Sequence, residues 1–217
     1  MKELVSILIF FFFVLLVFSS IPSSVSSVAD KLINHYVLIL TERAMGSGFN
    51  LGNGYVITVK HNVVSENQEN PDSMILGVDK EKSSLYDLFW FNENFAVYKD
   101  KIEKDKSLLW NNFAEPKLGE FVFFIAPYNK DGIIINTVKL GLVSFVGRDF
   151  FWIQAEVLPG TSGTAILDKD GNLLGLIESL FIASSLVEDK LTKATKEIDN
   201  FFIEVKKLDK DILANLK

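Results

Sequence analysis

From residue 36 to residue 178 the chain is cut into short apolar runs by glycine, asparagine and aspartate. That punctuation confines it to a β architecture. Runs at 36–40, 55–59, 74–78, 85–91, 95–98, 121–126, 133–137, 142–146, 150–154, 164–167 and 173–177 have strand length and strand composition. Turn signals separate them: Gly52-Asn53-Gly54, Asn92-Glu93, Asp131-Gly132 and Asp170-Gly171. Many short strands spaced in this way indicate an all-β barrel or sandwich. About eleven strands, with one more unread, are enough for two six-stranded barrels. The Asp-, Lys- and Asn-rich stretch at 100–116 is the expected linker between them.

Both ends depart from this pattern. Residues 4–18 are almost unbroken apolar sequence, including Phe10 to Phe13, with Lys2 ahead of them. The run is shorter than the roughly 20 residues of a membrane span and suits a secretory h-region. Ser27-Val28-Ala29 satisfies a small-x-small cleavage rule, so residues 1–29 are expected to be a signal peptide or an N-terminal membrane anchor. The chain is then exported: periplasmic, secreted, or anchored facing outward. At the other end, Val187, Leu191, Ala194, Ile198, Phe202 and Val205 recur at three and four residues behind Ser185-x-x-Glu188, a capping-box pattern. An amphipathic helix is therefore expected over 185–217. It either packs on the second barrel or serves association or a membrane surface.

With no cysteine, an exported domain must be held by its core alone, and roughly 190 residues suffice for that. There is neither a thiol nucleophile nor a thiolate metal site, and two isolated histidines make no ligand cluster, so no metal or cofactor is expected. A net charge of −6 without a dense basic patch argues against nucleic-acid binding.

The chemistry concentrates at Pro159-Gly160-Thr161-Ser162-Gly163 and Lys60-His61-Asn62-Val63. A serine between glycines, on a tight turn, can be presented to a substrate with backbone N–H groups alongside it. Acyl transfer needs such a hydroxyl, a base to take its proton, and donors for the oxyanion. His61 is one of only two histidines and follows a strand. The other, His35, has no apparent partner and is expected at the surface.

In order along the chain, Gly46-Ser47-Gly48-Phe49, Gly54-Tyr55-Val56-Ile57-Thr58, His61-Asn62-Val63-Val64, Gly141-Leu142-Val143-Ser144, Ile153-Gln154, Pro159 to Gly163 and Asp170 to Ile177 resemble trypsin-like serine proteases of the HtrA/Deg type. The likeness covers roughly residues 36–202. It implies a two-barrel chymotrypsin fold, with the first barrel at about 30–100 and the second at about 117–182. It further implies Ser162 as nucleophile, His61 as base, the Gly160 and Ser162 N–H groups as oxyanion hole, and a polypeptide substrate. Nothing after Phe202 is long enough for the PDZ module such proteases carry, so the protease domain alone is expected.

One position departs from the family pattern. Where the resemblance calls for an aspartate opening an Asp-Leu-Ala-Val-Leu-Lys strand, this chain has Asn94-Phe95-Ala96-Val97-Tyr98-Lys99. A carboxylate there fixes the imidazole tautomer and stabilises the imidazolium, and its replacement by an amide costs on the order of 10⁴ in kcat in a well-studied protease. Glu93 is adjacent but faces the opposite side of an extended strand unless a bulge turns it. Asp87 would pair near Tyr98 across an Asn92-Glu93 turn, roughly 13 Å along the strand. Three readings follow: a weakened protease in which Asn94 orients His61, a triad completed by Glu93 or another acid, or an inactive protease-like binding module. Residues 155–158 and 178–181 are expected to shape the primary specificity pocket. Glu156 is read there as an exposed loop acid, although it could attract a basic side chain.

Overall fold

A computed structural model describes residues 23–40, 45–65, 68–69, 74–77, 83–100, 109–131, 133–188, 195–208 and 212. The apolar run at 4–18 and the predicted positions Leu191 and Ala194 lie outside the described residues. Among the described residues no helix is long and apolar enough to cross a membrane.

Two closed six-stranded barrels make up the structure, as the strand punctuation and the resemblance imply. The first joins β1 (Tyr36–Leu40), β2 (Met45–Gly52), β3 (Tyr55–Val59), β8 (Phe95–Asp100), β7 (Ser83–Phe91) and β6 (Met74–Gly77). A two-stranded ribbon, β4 (Val64–Ser65) with β5 (Gln68–Glu69), hangs beside it. The second barrel joins β10 (Ile133–Val146), β11 (Phe150–Gln154), β14 (Thr195–Lys207), β13 (Leu173–Glu188), β12 (Ala165–Asp168) and β9 (Phe121–Lys130).

Alternate residues of the same strands serve two cores. Val37, Ile39, Val56, Ala96 and Tyr98 form one cluster, while Leu38, Phe49, Ile57 and Val97 join Phe123, Ile125, Leu167 and Leu176 of the second barrel in another. Strands buried on both faces read as continuous apolar runs rather than alternating ones, which is how β1 and β3 appear in the sequence. The connection between barrels is itself anchored: the Trp110 N–H donates to the Leu51 carbonyl, and Phe113 bridges Leu173.

Over 185–188 and 195–207, described parts of the predicted C-terminal helix, the chain is strand and not helix. Over 195–207 the chain is β14, paired with β13 along one edge and β11 along the other, so it closes the second barrel. The second barrel therefore reaches beyond residue 182 for its sixth strand. Ile203 and Val205 are fully buried while Glu204 and Lys206 alternate with them. That two-residue period, with the ladder hydrogen bonds on both edges, overrides the three-and-four spacing of Val187, Ile198 and Phe202.

The described helix, α1 (Ser23–His35), is at the other end and was not expected. Val25, Val28 and Leu32 share one face, and Val28 and Leu32 are buried in the core shared by the barrels. His35 closes the helix and is partly buried rather than at the surface. It stacks on Phe49 with ring centres 5.2 Å apart, meets Trp110 edge-on at 4.8 Å, and its Nδ1 lies 2.6 Å from the Asn50 carbonyl. Cutting after Ala29 would remove Val28 and Val25 from their packing. A chain beginning at Asp30 is expected to be about 2 kcal/mol less stable than one beginning at Ser23, as judged by urea denaturation midpoints; equal midpoints would contradict this packing.

Candidate active site

β3 is buried at every residue and ends at Val59, where the chain turns through a single 3-10 turn, Lys60–Asn62. The Lys60 N–H donates to the Asn94 carbonyl at 2.9 Å, and the Val63 N–H returns to the Lys60 carbonyl at 3.0 Å. The tight turn sends neighbouring side chains opposite ways. Asn62 is buried, whereas the His61 ring projects from the barrel with its side chain 47% exposed.

Ser162 stands on a loop closed on itself and bolted to the first barrel. Thr161 donates from its hydroxyl to the Leu158 carbonyl, and the Thr164 N–H donates to the Thr161 carbonyl. The Ser162 carbonyl accepts from the Ser47 N–H at 2.8 Å and from Asn62 Nδ2 at 2.9 Å. Ser47 Oγ donates to the Gly160 carbonyl at 2.6 Å, and Thr58 Oγ1 donates to the Ser47 carbonyl at 2.6 Å. Tyr36 Oη lies 3.0 Å from Ser47 Oγ, and burial pushes its hydroxyl up to about 12, so it stays neutral. Two glycines are obligatory in this loop. Gly160 has φ +91°, and a Cβ there would meet Met45 Cε at 2.6 Å; Gly163 has φ +87°, and a Cβ would run into the Ser47 carbonyl oxygen.

The two candidate catalytic side chains meet at a third residue. His61 Nδ1 is 3.1 Å from Glu178 Oε1, and Ser162 Oγ donates to the Glu178 carbonyl at 3.4 Å. Among the described residues His61 and Ser162 do not hydrogen-bond each other. Ser162 Oγ is held at the outer limit of a hydrogen bond, so rotation about its Cα–Cβ bond costs little. No acceptor among the described residues takes the N–H of Gly160 or Ser162.

Asn94 is placed differently. The two-residue turn is Glu93-Asn94 rather than Asn92-Glu93, closed by the Asn92 N–H on the Phe95 carbonyl, with the Asn92 side chain capping the N–H groups of Asn94 and Phe95. The Asn94 side chain has no hydrogen-bond partner among the described residues. With Glu93, Arg148 and Lys207 it lines a cleft of about 640 Å³ that does not include His61 or Ser162. Glu93 is exposed in that turn, and Asp87 pairs with Lys99 after a bulge at Phe89, one residue from the expected register. Glu156 is exposed and bonded to Lys139 at 2.8 Å, which lowers its carboxyl below the usual range. Among the described residues no group of His, Cys, Asp and Glu could hold a metal ion.

Sequence reading gave no separate role to Asn62, Ser47 and Thr58 within their motifs, and assigned Glu178 only to the primary specificity pocket, without its bond to His61. One signal for Glu178 was available: it is the only charge in the otherwise apolar and small-residue stretch 173–187.

No protein-family model matches the chain, and no curated protein matches it by sequence. Solved structures do. The Rv3671c protease of M. tuberculosis in its inactive form aligns with a TM-score of 0.60 at 17% identity, over 91% of this chain and 94% of that one. A serine endoprotease from Yersinia pestis aligns with a TM-score of 0.60 at 22% identity, over 91% of this chain and 66% of that one. Deg5 aligns with a TM-score of 0.59 at 20% identity, over 72% and 85%. The fold is that of trypsin-like serine proteases.

Proposed function

We propose that this protein is a serine endopeptidase. The observation that carries the reading is the convergence of His61, from the first barrel, and Ser162, from the second, on one residue, beside two unclaimed backbone N–H groups. In the proposed reaction His61 Nε2 removes the Ser162 hydroxyl proton as Oγ attacks the scissile carbonyl carbon. The carbonyl oxygen becomes an oxyanion held by the Gly160 and Ser162 N–H groups. The imidazolium then gives its proton to the leaving amine as the C–N bond breaks, and water, activated by the same ring, hydrolyses the acyl-enzyme. Polypeptides are the substrates, in keeping with the proteases that share this fold. The apolar run at 4–18 supports export, which makes exported or envelope proteins the accessible pool.

A fluorophosphonate probe tests this reading, because it reacts only with a serine that is nucleophilic and has an oxyanion hole. The full chain is expected to be labelled between pH 6 and 9, and the Ser162→Ala chain is not. Folded wild-type protein that resists the probe across that range would instead favour the non-enzymatic binding module.

A further inference from the structure

We propose that Glu178, from the second barrel, is the positioning carboxylate for His61 and supplies what Asn94 cannot. The inference rests on the endopeptidase reading for its catalytic meaning, but the pairing itself stands on geometry. An ionised carboxylate only accepts hydrogen bonds. At 3.1 Å from Glu178 Oε1, His61 Nδ1 must therefore be the protonated nitrogen, which leaves the Nε2 lone pair to act as base. An amide at residue 94 cannot impose that tautomer, since it both donates and accepts, and its side chain does not reach the ring.

Glu178 is aimed by the backbone. It is the extra residue of a bulge in β13: Ile177 pairs with Val205 and Ser179 with Glu204, so Glu178 opposes nothing. Bulges of this kind redirect a side chain next to functional sites. The main chain before it is clamped to the nucleophile loop, with the Gly163 N–H on the Ile177 carbonyl at 2.7 Å and the Ile177 N–H on the Thr164 carbonyl at 2.9 Å. Any shift of Glu178 thus moves with Ser162. The carboxylate is less exposed than the ring it holds, 23% against 47%, and its second oxygen is buried with no partner among the described residues. Among the described residues the imidazole is therefore the one hydrogen-bond partner this carboxylate has, through Oε1.

The pairing also changes where the acid sits. In the pattern implied by the resemblance, acid and base share the first barrel. Here the orienting bond joins one barrel to the other, so docking of the barrels through Ser47 and Asn62 sets the geometry of the base.

Nitrogen-15 NMR of the two histidines in the full chain, at a pH where both are neutral, reads the tautomer directly. Wild type is expected to show the Nδ1–H form at His61, and Glu178→Ala is expected to shift it to Nε2–H. In peptide hydrolysis, both Glu178→Ala and the nearly isosteric Glu178→Gln are expected to lower kcat on the order of 10⁴-fold with little change in KM. An unchanged tautomer in folded Glu178→Ala overturns the proposal. So does a rise in KM at constant kcat, which would make Glu178 a substrate-binding acid. If wild type proves inactive, the endopeptidase reading falls, while the tautomer still decides the pairing.

Discussion

A Gly163→Ala chain is expected to lose about 4 kcal/mol of stability or more, with a fall in Tm on the order of 10 °C. Two effects add. The residue sits at φ +87°, where a side chain is strained, and its Cβ would collide with the Ser47 carbonyl and crowd Asn62 Nδ2 at 2.8 Å. Backbone on one side and a buried amide on the other leave no flexible atom to yield. Relief must come from separating the nucleophile loop from β2, which breaks the bonds that Ser47 and Asn62 make to the Ser162 carbonyl. Thermal unfolding followed by circular dichroism measures the loss; an unchanged Tm would show that the two barrels are not docked through this contact.

His61→Ala is expected to do the reverse, sparing the fold and removing the reaction. The side chain is half exposed, makes one hydrogen bond among the described residues, and belongs to no hydrophobic cluster. Its loss leaves Tm nearly unchanged. Without the base, the Ser162 hydroxyl keeps its proton, and kcat for casein or a derived peptide is expected to fall on the order of 10⁵ to 10⁶-fold. The residual rate then comes from the oxyanion donors and from binding alone. A variant that retains more than about one hundredth of wild-type kcat would remove His61 from the mechanism.

Strands bounded by turn residues were legible in the sequence because turn chemistry is local. Tyr36–Leu40, Tyr55–Val59 and Phe150–Gln154 fall where their glycine, asparagine and aspartate neighbours place them. β2 emerged only from the resemblance, since its Gly-Ser-Gly core has little strand propensity and is stabilised by pairing on both edges. β14 was misread as helix. Its Ile203-Glu204-Val205-Lys206 alternation is short, and the longer spacing around it mimics an amphipathic helix until β11 and β13 are present to pair with it. α1 was not legible as a helix because its serines resemble a cleavage region, although Val25, Val28 and Leu32 carry the helical spacing.

The candidate site divides the same way. His61, Gly160 and Ser162 were visible because each lies in a local turn whose residue types are themselves informative. Glu178 was not, because its meeting with His61 depends on a bulge and on the docking of two barrels, and neither is written in nearby residues. Asn94 stands where the resemblance places the acid, but its side chain has no hydrogen-bond partner among the described residues. Among the described residues, the carboxylate bonded to the ring comes from the other barrel.

The proposed activity depends on a serine of the second barrel being made nucleophilic by a ring from the first. Mass spectrometry of the full chain after reaction with a fluorophosphonate examines that directly. One adduct is predicted, mapped to the peptide containing Ser162 and lost in His61→Ala as well as Ser162→Ala. Folded protein that stays unmodified, or an adduct on a different residue, would contradict it.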